Sequence, residues 1–471
     1  MIDAIRRKVF NHYSKLSKSN RNYLSKILEK IPKKYIYGKN FFETFSYLKK
    51  TEYLSKGKIK NIQIEKLKKI LEHAFNSTKF YRNEMMYKGL NSSNIKVDPL
   101  NVLSKMNFID KSIIREEEAQ IISNKKKWIP YDNCSTGGTS GEPLYFICNS
   151  DRSVKELAFI FDMWSRIGFN FDSKRITFRG GKIDTIGWDD DIITKERKFS
   201  SFEMTEQYLK NIWPLIDDYS PDFVYAYPST AITICKFMEN NQKVLPKTIK
   251  AFLLGSENIY KNQREYIEKI SNKKIFLWYG HSEKLVLAGE CEKSNIYHAY
   301  PQYGYTEFIN KEGNHAKPGE IAEIVGTGFL NTVMPFIRYR TGDYCLYLGE
   351  KCLECGRNYP IFSDIVGRWN QEILYGYKGN EICMSAINLH SDAMKNVFRF
   401  QFFQNKPGET ILKIMPKEGF SYEDSKIIEK EFNEKFGGNI KIRVNTVKNI
   451  PLTKIGKYKY IDQKTEKEKL N

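Results

Sequence analysis

Residues 134–143, Cys-Ser-Thr-Gly-Gly-Thr-Ser-Gly-Glu-Pro, form the stretch of this chain whose composition best suits chemistry. Three glycines and four Ser or Thr residues lie within residues 135–141, and no apolar period places them in a core. Glycines let the backbone turn its N–H groups inward and hydroxyls add donors, so such a loop can wrap an anionic phosphate chain. The Gly-Lys-Ser/Thr ending of a Walker loop is missing, so the stretch alone fits a phosphate loop or a flexible surface linker.

Four shorter motifs with charged or aromatic side chains follow along the chain. They are Tyr279-Gly280-His281-Ser282-Glu283, Tyr339-Arg340-Thr341-Gly342-Asp343, Gly367-Arg368 and Gly456-Lys457. Taken singly, each has a plain structural interpretation, such as a solvated charge at a strand end, a turn residue after a glycine, or one of the 76 Lys and Arg residues. These residue types can act together only if the fold brings them to one place.

Helix and strand patterns alternate through the middle of the chain and would supply that fold. The apolar periods predict strands at Arg175–Phe178, Phe223–Ala226, Ile249–Leu254 and Ile275–Trp278. They predict helices at Val154–Gly168, Tyr208–Tyr219, Ser229–Met238 and Gln263–Ile270. Ser229 is the predicted N-cap of its helix. The alternation predicts an α/β fold with a mostly parallel sheet, whose ligands bind at the carboxyl ends of the strands. Gly255-Ser256-Glu257 and Tyr279-Gly280 follow two of those ends.

The sequence predicts two unequal parts. Residues 1–366 form a large N-terminal α/β domain, which begins with a basic helical segment to about residue 90. Residues 367–370 form a hinge, and residues 371–471 form a small, mobile ββαβ lobe. Its predicted strands are Val397–Phe403, Thr410–Met415 and Ile440–Val447, with a helix at Ser421–Phe436.

Bulk composition narrows the class of protein. The chain has 471 residues and a net charge of +20, which favours an anionic partner, although its lysines are spread throughout. No window approaches the ~18 apolar residues of a membrane span, and no apolar signal region follows the basic N-terminus. Eight irregularly spaced cysteines fit a reducing compartment, so we expect a cytoplasmic protein without a transmembrane segment.

In their order from Ser135 to Lys457, the five motifs closely resemble the adenylate-forming superfamily of acyl- and aryl-CoA synthetases and luciferases. Within it the chain looks most like the branch of phenylacetate-CoA ligase and of CapK, a capsular-polysaccharide protein. The marks of that branch are Thr-Gly-Gly-Thr-Ser-Gly without a following lysine, Tyr225-Ala-Tyr-Pro-Ser229, Gly255-Ser256-Glu257, and Cys352 and Cys355 followed by Gly356-Arg357. The resemblance covers nearly the full length.

The resemblance implies an AMP-forming carboxylate ligase that uses ATP and Mg²⁺. The acid attacks the α-phosphorus, giving acyl-adenylate and pyrophosphate, and the acyl group then passes to an acceptor. Lys457 would bridge the carboxylate and the α-phosphate, and Glu283 would bind Mg²⁺. Tyr279 offers a ring face for adenine, Asp343 a carboxylate for the ribose, and Arg368 a cation for ribose or phosphate. The full nucleotide-binding set is Ser135, Thr136, Gly137, Gly138, Thr139, Ser140, Gly141, Ser256, Glu257, Tyr279, Gly280, Ser282, Asp343 and Arg368.

The same resemblance implies which residues line the acid pocket, and the chain departs from the family pattern at two positions. Tyr225, Tyr227, Ser229 and His281 would line the pocket. The hinge has Asn370 where the family usually has aspartate, and Asn also tolerates the φ/ψ change a hinge needs. Ile455 stands before Gly456 where a small residue is common.

Cys352 and Cys355 have the spacing of a metal knuckle, but two ligands do not make a site. Cys291 and His298 could complete a structural Cys₃His zinc site, and the related branch often carries cysteines and a histidine in these regions. The alternative is a set of reduced thiols with an exposed histidine.

Three functions remain open. The first is a CapK-like enzyme that activates a carboxylic acid in surface polysaccharide biosynthesis, of capsule or O-antigen. The second is an aryl-CoA ligase of the phenylacetate-CoA ligase type. The third, from another class, is a basic protein that binds nucleic acid or a membrane surface, which explains the charge but not the ordered motifs. We expect small-molecule partners and no nucleic acid. The sequence leaves open the acid, the acceptor (coenzyme A, an amine or a sugar) and the oligomeric state.

Overall fold

The computed structural model describes most of the chain from residue 32 onward. The described residues are 20, 32–135, 144–178, 188–191, 194–201, 204, 206–367, 373–377, 381–383, 392–394, 396–436, 438, 440–451, 459 and 461–465. Statements about the structure below refer to these residues.

Helices dominate the first part of the described chain, and strands dominate the rest. The α-helices are α1 Lys33–Tyr37, α2 Lys39–Thr51, α3 Lys56–Ser77, α4 Lys79–Tyr87, α5 Ser92–Val97, α6 Pro99–Lys105, α7 Lys111–Glu116, α8 Glu118–Ile121, α9 Arg152–Ser165, α10 Glu206–Tyr219, α11 Pro228–Asn240, α12 Lys261–Ser271 and α13 Tyr422–Phe436, with 3₁₀ turns at Lys126–Trp128 and Asp392–Met394. The strands are β1 Tyr131–Ser135, β2 Tyr145–Asn149, β3 Arg175–Phe178, β4 Trp188–Asp191, β5 Glu196–Phe199, β6 Phe223–Ala226, β7 Ala251–Gly255, β8 Lys274–Gly280, β9 Leu287–Glu290, β10 Tyr297–Ala299, β11 Gly304–Ile309, β12 Ile321–Gly328, β13 Tyr339–Gly349, β14 Ile361–Gly367, β15 Ile373–Tyr375, β16 Glu381–Cys383, β17 Val397–Lys406, β18 Glu409–Pro416, β19 Lys441–Thr446 and β20 Ile461–Gln463.

One large mixed sheet organises the N-terminal part. Its strands lie in the order β11-β12-β13-β14-β10-β9-β8-β7-β6-β3-β5-β4. Strands β8, β7, β6, β3 and β5 pair in parallel, whereas β4 and the strands from β9 to β14 pair with their neighbours antiparallel. The α/β class is confirmed, but the expectation of a mostly parallel sheet is wrong. After Gly280 the chain turns back through short connections without crossover helices, and such connections can join only antiparallel neighbours.

Strands β6, β7 and β8 lie in the middle of the sheet. All five residues of β7 are buried, as expected of a parallel strand covered on both faces. Helices α2 and α9 belong to the layer that covers one face. The ring of Phe41 in α2 and the ring of Phe161 in α9 meet edge to face, with their centroids 5.4 Å apart. The N-terminal helices therefore pack into the core of the large domain. Helix α3 also turns an apolar face inward, since Leu67, Ile70 and Leu71 are buried.

The beginning of α11 differs from the prediction. The helix begins at Pro228 with Tyr227 at the N-cap, and the Tyr227 side chain makes no capping hydrogen bond. Proline is favoured at the first helical position because it has no N–H to leave unpaired. Ser229 therefore lies inside the first turn, and its predicted role as the N-cap is wrong.

The small C-terminal lobe has the predicted ββαβ core, with β17 and β18 antiparallel and β19 parallel to β18. A short fourth strand, β20, pairs in parallel with β17. Three residues are too few to show a period, so the sequence did not predict it. The lobe contacts the large domain at α11, where Lys236 Nζ donates to Phe398 O at 3.4 Å and Lys417 Nζ donates to Asn240 Oδ1 at 3.2 Å.

Among the described residues, no helix has both the length and the apolar character needed to cross a membrane.

Candidate active site

The carboxyl ends of the central parallel strands bring three of the predicted motifs to one edge. Strand β6 ends at Ala226, β7 at Gly255 and β8 at Gly280, and in-register parallel pairing aligns these ends. Residues 225–229, 255–257 and 279–283 therefore occupy neighbouring positions at the edge where such sheets bind ligands. The structure thus agrees with the predicted position of these motifs, although the functions of their residues stay predictions.

Glu283 is a buried carboxylate at this edge with a hydrogen-bond partner on each oxygen. Its side chain is only 4% exposed. Tyr339 donates its hydroxyl hydrogen to Oε1 at 2.7 Å, and His281 Nδ1 lies 3.2 Å from Oε2. Burial raises the pKa of Glu283, but the contacts with His281 and Tyr339 lower it by more, to about 2. The side chain is therefore an anion at neutral pH, held by one partner on each oxygen.

The backbone decides which ring nitrogen of His281 carries the proton. The Val286 N–H donates to Nε2 at 3.2 Å, so Nε2 accepts. The ring hydrogen then lies on Nδ1, from which it donates to Glu283 Oε2. His281, predicted only to line the acid pocket, is in this structure a positioning residue for Glu283.

Tyr279 and Asp343, predicted to contact adenine and ribose, are hydrogen bonded to each other. The Tyr279 hydroxyl donates to Asp343 Oδ2 at 2.8 Å. Burial and the adjacent carboxylate raise the pKa of Tyr279 well above 10, so its hydroxyl stays a donor. Asp343 lies in β13 opposite Gly367, the last described residue before Arg368. The hydrogen bond between Tyr279 and Asp343 therefore joins the end of β8 to β13, the neighbour of the strand that leads into the predicted hinge.

The residues Gly255-Ser256-Glu257 form a tight structure after β7. A Cβ atom at Gly255 would lie 2.6 Å from Trp278 Nε1, so only glycine fits there. Ser256 has a φ of +68°, a left-handed conformation that is costly for a non-glycine residue and is often found at functional sites. The Glu257 carboxylate accepts from the Ser229 N–H and hydroxyl, both at 3.0 Å.

The contact between Glu257 and Ser229 gives Glu257 a clear structural role. A carboxylate at a helix N-terminus pairs with N–H groups that have no partner within the helix, and it meets the positive end of the helix dipole. Glu257 was predicted to bind nucleotide, but the described contacts of its carboxylate hold α11 in place. Tyr225 and Tyr227 flank this region. The Tyr225 ring meets Trp164 edge to face at 5.1 Å, and Tyr227 is buried.

Several predicted site residues lie outside the described residues. They are Thr136, Gly137, Gly138, Thr139, Ser140 and Gly141 of the glycine-rich loop, together with Arg368, Asn370 and Lys457. Ser135 ends β1, which pairs with β2 in an antiparallel hairpin. The loop thus connects two paired strands, and nothing in the described structure tests its predicted contact with phosphate.

Tyr339 is the site residue that sequence analysis missed. It stands at the start of the quoted motif Tyr339–Asp343, but no role was assigned to it. Its ring stacks on Phe336 at 5.8 Å, which fixes the hydroxyl toward Glu283. The motif in the sequence could have indicated Tyr339 as a site residue. Only the packing of β13 across the site shows that its hydroxyl contacts Glu283.

Comparison with known proteins agrees with the motifs. Residues 374–464 match the family model of the CapK C-terminal domain. The whole chain is similar to Protein CapK of Staphylococcus aureus, with 23% identity over 93% of this chain and 96% of that protein. It is also similar to phenylacetate-coenzyme A ligase of Aromatoleum evansii, with 24% identity over 63% of this chain and 68% of that enzyme.

The fold has a solved counterpart. A 2-hydroxyisobutyryl-CoA ligase, in its postadenylation state with an acyl-AMP, matches 89% of this chain and 92% of its own length with a TM-score of 0.67 and 16% identity. The chain is similar to CapK and to adenylate-forming coenzyme A ligases. The predicted recognition is confirmed, and the comparisons support the predicted enzyme class, an adenylate-forming ligase.

The CapK-like chain also contains the predicted cluster of Cys291, His298, Cys352 and Cys355. The four candidate ligand atoms lie within 4.8 Å of one another. Cys291 Sγ and Cys352 Sγ are 4.0 Å apart, and Cys355 Sγ and His298 Nε2 are 3.5 Å apart. Ligands of a tetrahedral zinc ion, with bonds of about 2.0–2.3 Å, are separated by roughly 3.5–3.8 Å. The cluster therefore fits a Cys₃His site in size and donor chemistry.

Two parts of the large sheet form this cluster. His298 lies in β10, Cys291 follows β9, and the two other cysteines lie between β13 and β14. Sheet order places β14 beside β10, so residues distant in sequence meet. His298 is fully buried, which excludes the alternative of an exposed histidine. Burial and the charges of Arg166 and Arg357 lower the pKa of His298 to about 2, so the ring is neutral, the form that binds metal.

Arg166 contacts the other nitrogen of the His298 ring, since its Nη1 atom lies 3.4 Å from Nδ1. Arginine can only donate, so Nδ1 accepts in this geometry and the ring proton lies on Nε2. Metal binding through Nε2 requires the proton to move to Nδ1. The Nδ1–H group would then face an N–H group of Arg166, and two donors cannot form a hydrogen bond with each other. The distances of the cluster thus fit zinc, whereas this contact opposes the tautomer that zinc needs.

Proposed function

We propose that this CapK-like protein is an ATP-dependent ligase that adenylates a carboxylic acid and then transfers the acyl group to an acceptor. The observation that carries the proposal is the buried Glu283 carboxylate, oriented on both oxygens by Tyr339 and His281. It lies at the strand edge that also carries Tyr279, whose hydroxyl bonds to Asp343. Activation of a carboxylate by ATP is mainly a matter of positioning and charge neutralisation, which rigid charged groups provide.

Glu283 is the proposed ligand of Mg²⁺. Each carboxylate oxygen accepts one hydrogen bond from the protein, and an ionised oxygen has further lone-pair capacity for a hard cation. Magnesium would neutralise charge on the phosphates of ATP. His281 and Tyr339 would fix the orientation of the carboxylate, which limits the geometries in which a cation can bind.

The nucleotide would lie over the carboxyl ends of β7 and β8. We propose that Tyr279 borders adenine and that Asp343 accepts from ribose hydroxyls. The loop of residues 135–141, Arg368 and Lys457 would contact the phosphates; these assignments rest on the family resemblance, because all but Ser135 lie outside the described residues. The proposal that the small lobe rotates about a hinge at 367–370 between the two steps of the reaction rests on the same resemblance.

The acid would bind between the end of β6 and the start of α11. Tyr225 and Tyr227 supply aromatic walls, and the hydrogen bonds from Ser229 to Glu257 hold the helix N-terminus rigidly beside them. A pocket built this way suits an acid with an apolar or aromatic body. The names of two similar proteins suggest the acids to try first, phenylacetate and 2-hydroxyisobutyrate.

Coenzyme A is the first acceptor to test, because one similar protein is a coenzyme A ligase and the solved neighbour is another. An amine or a sugar hydroxyl is the second. The similarity to Protein CapK extends over more of the chain, and with the branch resemblance it supports a role in surface polysaccharide biosynthesis.

We also propose that the Cys₃His cluster binds one structural zinc ion. Three thiolates and an imidazole are the donors that zinc prefers in closed sites, and the Lys293 N–H already donates to Cys291 Sγ at 3.4 Å. The ion would tie the turn after β9 to the connection between β13 and β14. The Arg166 side chain must then shift away from His298 Nδ1.

ATP–pyrophosphate exchange tests the ligase directly. We expect exchange that needs Mg²⁺ and one acid from a panel of aromatic and short hydroxy acids. Each acceptor is then added to the acid that supports exchange, and acyl transfer is followed by mass spectrometry. No exchange with any acid, together with salt-sensitive retention on DNA, would favour the nucleic-acid-binding alternative over the ligase.

A further inference from the structure

A cavity lined by none of the predicted site residues lies between α2, α3 and the loop that joins β12 to β13. Its volume is about 570 Å³, within the usual range of small-molecule sites. Tyr47 comes from α2, Lys66 and Lys69 from α3, and Phe329 and Thr332 from the loop. The lining therefore combines aromatic rings with amines, and none of these residues belongs to the predicted nucleotide or acid site.

The Lys66 amine is the charged centre of this cavity. Nζ lies 5.3 Å from the ring centroid of Tyr47 and 6.0 Å from that of Phe329. Within the described part of the chain, no ion pair joins Lys66 to a carboxylate. Burial, followed by the charges of Lys155 and Lys69, lowers the pKa of Lys66 to about 8. A half-buried amine with like charges around it is stabilised by any anion that enters.

The charges around Lys66 favour an anionic ligand. Lys155, on α9, is already paired with Asp151 at 2.7 Å. Of the groups that line the cavity, Lys66 and Lys69 are cationic and Glu65 is the one carboxylate. The cavity therefore keeps a net positive lining, with the aromatic rings beside it.

We propose that this cavity binds a phosphate monoester whose organic group is apolar or aromatic. The phosphate would pair with the Lys66 and Lys69 amines, since lysine binds phosphate as a compact charge. The organic group would lie against Tyr47 and Phe329, whose ring centroids are 5.3 and 6.0 Å from the Lys66 amine. This site is independent of the proposed adenylation reaction, because it uses different residues.

Titration calorimetry of the full chain tests the proposal with phenyl phosphate, inorganic phosphate and phenol. We expect phenyl phosphate to bind, inorganic phosphate to bind more weakly and phenol not to bind, because charge and ring contact act together. Lys66→Met should weaken phenyl phosphate binding about tenfold or more. Lys68→Met, on the same helix but outside the cavity lining, removes an equal charge and should leave the affinity unchanged.

Chemical labelling provides a measurement that needs no variant. Phenyl phosphate should slow acetylation of Lys66 by acetic anhydride near pH 8 and leave Lys68 unaffected, as measured by mass spectrometry. The proposal is overturned if wild-type protein does not bind phenyl phosphate up to about 10 mM, a limit of about 3 kcal/mol. It is also overturned if Lys66→Met binds as well as wild type, or if the ligand gives Lys66 no protection.

Discussion

Replacing Tyr339 by phenylalanine tests the arrangement around Glu283 with the loss of a single oxygen atom. The hydroxyl donates to Glu283 Oε1 at 2.7 Å, and the ring that stacks on Phe336 is retained. The variant therefore removes one of the two side-chain donors that hold the carboxylate and leaves the packing of β13 unchanged.

The expected size follows from the ionisation of Glu283. Its pKa is lowered from 4.5 to about 2, since the His281 and Tyr339 contacts outweigh the effect of burial. At ~1.4 kcal/mol per pH unit, a shift of this size corresponds to about 3 kcal/mol of folding free energy at neutral pH. Loss of one donor should lower the free energy of unfolding by about 1–2 kcal/mol.

The sign of the pH dependence distinguishes this effect from simple loss of packing. The pKa of folded Glu283 lies below its unfolded value, so ionised Glu283 stabilises the protein above about pH 4.5, and this contribution is lost as pH falls toward 2. Calorimetry of metal-free protein in a chelator should show a melting temperature lower by roughly 2–4 °C in Tyr339→Phe at pH 7. The difference from wild type should narrow as pH falls from about 5 to about 3.

Tyr81→Phe is the matched control. The Tyr81 hydroxyl donates to Pro335 O at 3.0 Å and accepts from the Ile337 N–H at 3.1 Å, without contact to Glu283. It should lose stability equally at both pH values and keep normal pyrophosphate exchange. Tyr339→Phe should lower exchange by about 10–100-fold. The same pH response in both variants, or full exchange in Tyr339→Phe, would refute the role given to Tyr339.

Three further predictions concern the proposed metal and catalytic groups. Glu283→Gln keeps the size of the side chain but removes its charge, so Mg²⁺-dependent exchange should fall at least about 100-fold while the protein still folds, with a lower melting temperature; wild-type exchange would exclude Glu283 as the ligand. Lys457→Ala should abolish exchange yet still consume chemically prepared acyl-adenylate, whereas Lys454→Ala should have a mild effect; equal effects in both variants would contradict the assignment. Protein purified without a metal-binding tag should contain about one zinc per chain, and Cys352→Ser with Cys355→Ser should remove it and lower the melting temperature; a metal-free wild type would contradict the zinc proposal.

The order of chemical motifs and the alternation of helices and strands were readable from the sequence alone. Both are local properties, because turn composition and apolar period depend on residues close together in the chain. They located the ends of β6, β7 and β8, and with them Ser229, Ser256 and Glu283. They also predicted the ββαβ core of the C-terminal lobe, but not its three-residue strands β15, β16 and β20. The antiparallel half of the large sheet escaped prediction because no crossover helices separate its strands and mark them.

Contacts between distant residues were decided only by the tertiary structure. Tyr339 and Glu283 are 56 residues apart, and Tyr279 and Asp343 are 64 apart, so neither hydrogen bond has a local signal. Strand register determines whether such side chains meet, and a shift of one residue would turn them to the opposite face of the sheet. The sequence by itself therefore determined which residue types are available for chemistry and near which strand ends they lie. The antiparallel strands from β9 to β14 determined their partners, because sheet pairing brings together segments that the chain keeps far apart.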